Sequence, residues 1–326
     1  MTTAIDPNTF NHLDPSMENG ASEEYPLIAW VYGKPQFRET QEISWSGGWF
    51  LDAEQAPMDP MPEPWIPWER PVASGDLIDG WATPYLHVAV LRQRRCWFWV
   101  ADDYRRMYPY RQFERCKADA AQHGVSPSGR LQLLVAIQKV ETPVVLTFKG
   151  AGSQAIAGTR RQPGVLARLD GELVGGLRRL LRKAAQDQTD NPVVPRCTFW
   201  ITLGAQKDGN APHFVQVGSG QRTQTVTLPT IHHLEGKSFT TLEDFQPFYV
   251  GGQRLEQFQT WFQQTDNWAR AWDDWDMQTI GRETSDRRQG VTSQNGWDYD
   301  SDQGDVGRGE DTGVPPYPVE DSDIPF

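Results

Sequence analysis

Cysteine is scarce in this 326-residue chain: three residues, Cys96, Cys116 and Cys197, widely spaced and odd in number. No CxxC pair occurs, and the six histidines show no zinc-ligand spacing, since His232 and His233 are merely adjacent. A disulfide framework and a structural zinc site are therefore set aside, and three reduced thiols of a cytoplasmic protein are expected. Long apolar runs are missing too. The longest, Leu131 to Ile137, falls far below the roughly 20 residues that a membrane-spanning helix needs. The opening MTTAIDPNTFNHLDPSMENG has no basic start followed by an apolar stretch, so no secretory signal is read there. Hydrophobic residues make up only 38% of the chain. That is below the usual share, as for a globular body carrying polar segments that do not pack.

Catalytic signatures are equally thin. No nucleophile elbow, zinc-protease helix or dinucleotide-binding fingerprint is present. Gly150-Ala-Gly152-Ser153 invites a phosphate-loop reading, but Lys149 precedes the glycines instead of following them, so a mobile basic loop is expected. Asp102-Asp103 and Asp273-Asp274 are acid pairs of a kind common on surfaces. The expectation is a protein without catalysis, cofactor or metal.

The net charge of −12 reads at first as a reason to exclude nucleic acid. Its distribution reverses that. Residues 1–80 hold 14 acids against 3 bases, and residues 276–326 hold 12 against 4. Between them, residues 81–275 carry 24 bases against 17 acids. The densest stretch, 90–185, has 18 bases to 7 acids, and 14 of those bases are arginine. Arginine pairs with phosphate through a planar fork and stacks on bases, whereas lysine supplies mainly a point charge. A basic face balanced by the acidic ends of its own chain would give the same pattern.

Periodicity divides the chain. Residues 1–24 are polar and aperiodic, an N-terminal arm. Strands are expected at Leu27–Tyr32, at Ile43–Leu51 with a bend at Gly47-Gly48, at Tyr85–Arg92 and at Arg94–Val100. Further strands are expected at Leu131–Val140, Val144–Lys149, Cys197–Leu203, His213–Val217 and Thr223–Leu228. Six prolines between 56 and 71 predict an extended connection. Val165 to Leu181 repeats leucine and valine at three- and four-residue steps, an amphipathic helix with Arg178, Arg179, Arg182 and Lys183 on its polar side. A second helix at 253–275 carries a Trp stripe, which reads as core or as a seam between copies of the chain. Strands, one helix, then more strands is the order of a Greek-key barrel of the oligonucleotide-binding type. The expected fold is thus mainly β with helices (α+β), a body over 25–275 followed by an unstructured acidic linker over 276–318.

Binding a single strand without sequence preference takes a basic groove with aromatic faces for stacking. Arg92 to Lys117 interleaves both. If Arg94–Val100 is a strand, Arg95, Trp97 and Trp99 share one side, leaving Cys96, Phe98 and Val100 as an ordinary core side. The candidate DNA-binding set is Arg92, Arg94, Arg95, Trp97, Trp99, Arg105, Arg106, Tyr108, Tyr110 and Arg111, joined by Lys149, Arg160 and Arg161. Tryptophans in a small barrel also serve as core, and the intervening arginines favour the open reading.

The last residues run Glu320-Asp321-Ser322-Asp323-Ile324-Pro325-Phe326 after some forty polar positions. An acidic cluster followed by Ile-Pro-Phe suits a peptide ligand: Phe326 enters an apolar pocket, its carboxylate meets a cation, and Asp321 and Asp323 meet a basic rim. Pro325 lowers the entropy cost of holding the end extended. This segment resembles the tip of bacterial single-stranded DNA-binding proteins, as does the Gly/Asp/Gln-rich spacer before it. The resemblance covers roughly the last fifty residues and not the body. It implies recruitment of replication, recombination and repair proteins through Asp321, Asp323, Ile324, Pro325 and Phe326. The resulting expectation is a non-catalytic protein that covers single-stranded DNA. The alternatives are an adaptor whose body binds protein, and a DNA-processing nuclease.

Overall fold

The computed structural model describes residues 25–37, 41–71, 77–101, 104–159, 162–184, 192–205, 207–208, 211–218, 223–232, 234, 237–265 and 268–269. The expected arm, linker and acidic tip lie outside these residues, as do Arg160 and Arg161. The chain opens with β1 (Leu27–Val31), the short helix α1 (Glu42–Ser46), β2 (Gly48–Asp52), β3 (Ile66–Pro71) and β4 (Leu77–Thr83). Next come β5 (Tyr85–Ala101), β6 (Tyr104–Pro109), α2 (Phe113–Gln122), β7 (Ser128–Ile137) and β8 (Val144–Lys149). A helical stretch follows: α3 (Gly150–Ala157), α4 (Val165–Arg168) and α5 (Gly175–Ala184), the last two joined by a π-helical turn over Leu169–Val174. Strands resume with β9 (Ile201–Ala205), β10 (Lys207–Asp208), β11 (Ala211–Pro212), β12 (Val215–Val217), β13 (Gln224–Val226) and β14 (Pro229–His232) before α6 (Gly252–Gln264).

Ten strands form one sheet in the order β14-β9-β5-β7-β8-β1-β2-β4-β3, with β6 paired to the far end of β5. All neighbours run antiparallel except β1 and β8. The sheet curls into a half-barrel. Trp49 on β2 donates through Nε1 to the Leu203 carbonyl on β9 at 3.0 Å, although five steps of the sheet order separate the two strands. Gly33 and Thr227 exchange hydrogen bonds across the same gap. Inside the curl lie Trp30, Trp49, Leu86, Val88, Val90, Leu131, Leu133 and Val135, with Leu166, Leu169 and Leu173 from the helical stretch packed on them. The convex side buries Ala89, Leu91, Leu134, Ala136 and Val145 beneath Phe258 of α6. This mixed α+β architecture, mostly strands, carries the expected class. No helix among the described residues is long and apolar enough to cross a membrane.

Several expected elements change form for identifiable reasons. Ile43–Ser46 belongs to α1 and not to a strand, because Gly47, at φ 75°, breaks the extended path and sits against Thr227 and Gly33. The proline-rich stretch contains β3, which among the described residues is an edge strand paired with β4 alone, a place where proline is tolerated. Gly150–Ser153, expected as a mobile loop, is the first turn of α3, fastened by Gly152 N donating to Tyr32 Oη and Ser153 Oγ donating to the Phe148 carbonyl. The two strands expected at 85–100 are one strand of 17 residues. It passes through a bulge, since Val90 pairs with Val135 but Arg92 with Leu134. The amphipathic helix expected from Val165 is present through Ala184, with Arg196 donating to both Asp170 oxygens and to Gln93 to tie its π turn to β5.

Candidate nucleic-acid interface

The bulge decides where the arginines of β5 go. Before it, residues alternate normally: Leu86, Val88 and Val90 point into the curl, while Ala89 and Leu91 face α6. The extra residue makes Leu91 and Arg92 both face α6. Arg94 follows Arg92, and Arg95, Trp97 and Trp99 fall on the concave side. The expected parity of Arg95, Trp97 and Trp99 is therefore the observed one.

Arg92 and Arg94 are not part of an open groove. They are 7% and 6% exposed. Arg92 donates through Nε to Thr265 Oγ1 at 3.2 Å and through Nη2 to the Phe262 carbonyl, with its guanidinium 3.7 Å from the Phe262 ring centroid. Arg94 donates to Gln132 Oε1 at 2.8 Å and to the Trp268 carbonyl at 2.9 Å, and lies 4.1 Å from the Trp268 ring. The last carbonyls of a helix lack intrahelical donors, and the helix dipole places negative charge there. Arg92 supplies such a donor and positive charge at the end of α6, and Arg94 binds the backbone just beyond it, so both are engaged by the chain itself.

Trp97 and Trp99 are likewise closed. β6 pairs with β5 from Cys96 to Ala101, with β7 on the other side of β5 as far as Phe98 and β6 alone beyond it, and α2 lies across this end. Trp97, Trp99, Tyr108, Cys116 and Ala120 form a small separate core. Trp99 is 1% exposed and stacks on His123 at 4.7 Å. Trp97 donates through Nε1 to the Tyr110 carbonyl at 2.8 Å and touches Phe113 at 4.5 Å between centroids. Tyr108 is buried, donating its hydroxyl to Asp119, and burial followed by that hydrogen bond pushes its pKa up. As stacking platforms, Trp97, Trp99 and Tyr108 are corrected to core: α2 closes over the face they share and buries them with Cys116 and Ala120.

What remains outside that small core is the interface. Tyr110 is 44% exposed, its ring parallel to Trp97 at 8° and 5.5 Å, with the exposed Arg95 guanidinium 5.7 Å away. Arg111 is exposed beside it, and the half-exposed Arg106 lies 3.6 Å from Asp119. Arg115 and Lys117 extend the basic surface along α2. The backbone of Arg105 belongs to β6, opposite Val100. Lys149 is half-buried on β8, opposite Arg130. Sequence reading missed Arg130, half-buried with its guanidinium 5.2 Å from the ring of Phe98. The signal was the alternation of Arg130 and Gln132 with the core leucines of β7.

The three thiols are buried and unpaired, and burial raises Cys96 to about 11, Cys116 to about 12 and Cys197 to about 11. Among the described residues no group of three or more His, Cys, Asp and Glu side chains is placed to hold a metal ion. No family model, curated protein or solved structure matches the chain.

Proposed function

We propose that this protein binds single-stranded nucleic acid, with DNA as the expected ligand, and recruits protein partners through the acidic segment 319–326. Binding is non-catalytic. The observation that carries the reading is Tyr110: a half-open ring held parallel to Trp97, with Arg95 over it and Arg111 alongside. A base can stack on the open part of such a ring, and the guanidiniums can pair with flanking phosphates. The buried core beneath keeps the ring from having to be ordered on binding, which preserves affinity. In this reading the half-barrel is a barrel of the oligonucleotide-binding type, with a basic rim set by the end of β5 and α2. The acidic segment Glu320–Phe326 would carry the partner contacts, with Phe326 as anchor and Asp321 and Asp323 on a basic rim.

Fluorescence anisotropy of labelled oligo-dT across a salt series tests this, with matched duplex and RNA as comparisons. The expected result is single-strand binding whose logarithmic affinity falls linearly with the logarithm of salt concentration. No binding at low salt by the full chain would overturn it.

A further inference from the structure

Positive charge also gathers on α5, away from the rings of the interface. Arg178, Arg179, Arg182 and Lys183 recur at steps of one, three and four residues and share one side of the helix. Arg179, Arg182 and Lys183 are exposed, and Arg178 is half-buried. The opposite stripe, Leu177, Leu180 and Leu181, packs on the core inside the curl. Gly176 lies so close to Phe245 that an added Cβ would stand 3.0 Å from its ring. The helix is thus firmly seated, and its basic side is held outward.

The acids that could neutralise this side are already engaged. The helical run from Val165 to Ala184 contains two, Asp170 and Glu172. Glu172 pairs with Arg168 at 3.1 Å, and the two Asp170 oxygens accept from Arg196 at 2.7 and 2.6 Å. Among the described residues none of the four α5 cations forms an ion pair. Like charges four residues apart, as in Arg178 with Arg182 and Arg179 with Lys183, weaken a helix. Only Arg182 and Lys183, in the last turn, gain from the helix dipole. Arg196 also donates to Gln93 of β5 at 2.7 Å, and Gln93 precedes Arg95 on the concave side by two residues, about 7 Å. From Asp170 to Arg178 is about 12 Å of helix.

We propose that the basic side of α5 is a phosphate track for the same single strand that stacks on Tyr110. It extends the interface from the end of β5 along the helical run. Cations four residues apart on a helix are separated by about 6 Å along its axis, close to the spacing of neighbouring phosphates in an extended strand. No ring and no exposed large apolar side chain lies on this side, so the contact is to the sugar–phosphate backbone and not to bases. The same feature disfavours a lipid surface, which takes an apolar helix face, and a protein partner, which takes aromatic or apolar anchors.

This inference rests on the single-strand binding proposed above, and the experiment separates the two. Affinity of the full-length protein for a dT oligomer of about 20 nucleotides, longer than the usual site of one barrel, is measured across a salt series. Arg179→Gln with Arg182→Gln is expected to lower affinity about 10-fold at low salt and reduce the salt slope by about 1.4, from two lost phosphate contacts. Arg179→Lys with Arg182→Lys, which keeps both charges, is expected to retain the slope. Thermal unfolding should show no loss of stability in either variant, since no ion pair is removed. Lys139→Gln removes an exposed cation in the β7–β8 turn, at the other end of β7 from Arg95, and is expected to change neither affinity nor slope. Tyr110→Ala should lower affinity and keep the slope, because it removes stacking and no charge. An unchanged slope in Arg179→Gln/Arg182→Gln, or an equal fall per charge in Lys139→Gln, overturns the track and leaves the Tyr110 interface standing. A loss of affinity that the double Lys variant shares in full overturns it as well. An absence of binding by the unaltered protein overturns both readings.

Discussion

The arginines of β5 differ by position, and the difference is instructive. Arg92 and Arg94 sit under α6, each with hydrogen bonds to the C-terminal helical segment and a ring against its guanidinium. Arg95, one residue further on, is exposed beside Tyr110. The tryptophans show the same split in reverse. Trp97 and Trp99 share the side of Arg95 and are nonetheless buried, because α2 and Tyr110 cover them. Residue type along a strand thus tells which groups share a side. Whether that side is open depends on what the rest of the chain lays over it.

Trp97→Ala breaks the comparison most severely. Removing a buried indole is expected to cost about 3–5 kcal/mol of stability, read as a lower urea midpoint. An unchanged midpoint would mean that the indole is a surface group after all. Arg94→Ala is next: it removes donors from Gln132 and the Trp268 carbonyl together with a ring contact, an expected loss of about 2–3 kcal/mol. If the variant instead left unfolding unchanged, the seat of α6 on β5 would be wrong.

Tyr110→Ala should shift the balance towards binding, costing about 1–3 kcal/mol in single-strand affinity while the lost stacking on Trp97 costs about 0.5–1.5 kcal/mol in stability. Arg95→Ala is expected to act uniformly across sequences and reduce the salt slope by about 1. The thiols compare the two cores most gently. Cys96 and Cys116 lie at the end of β5 covered by α2 and Cys197 in the core under α6, all buried. Equal, slow reaction of all three with a thiol reagent near neutral pH is expected, and faster loss of Cys96 and Cys116 would mark that end as the looser part. Their folded pKa values, about 11, 12 and 11, lie above the ordinary 9.0, so the folded state keeps protons that the unfolded state releases. That stability is fully present below about pH 9 and is lost as pH rises through about 11, which alkaline unfolding would measure.

Much of the fold was legible from local pattern. The strands β1, β7 and β8, the hairpin between β7 and β8, and the helical run from Val165 to Ala184 follow directly from runs and periods. Less legible were α2, β4 and β6. The helix α2 has two buried residues, Cys116 and Ala120, among charged ones, so its periodicity is faint. Val100 and Phe98, expected as core, are exposed and half-buried, because β8 ends level with Cys96 and β7 level with Phe98. For the candidate site, Arg95, Tyr110 and Arg111 were found by interleaving charge with rings. Arg130 was hidden in a strand whose leucines dominate the reading.

Composition and order along the chain were enough to establish a mainly β body, a basic centre between acidic flanks, and reduced cysteines rather than a disulfide framework. These follow from local forces: side-chain alternation, turn residues and the summed charge of each segment. The assignment of each arginine to solvent or to a helix came from elsewhere. It required the bulge at Val90 and Arg92, which turns a side chain to the other face, and it required α2 and α6 to close over parts of the sheet. Those contacts join residues up to 174 positions apart, as between Arg94 and Trp268. Burial depends on such distant neighbours, and no window along the sequence contains both of them.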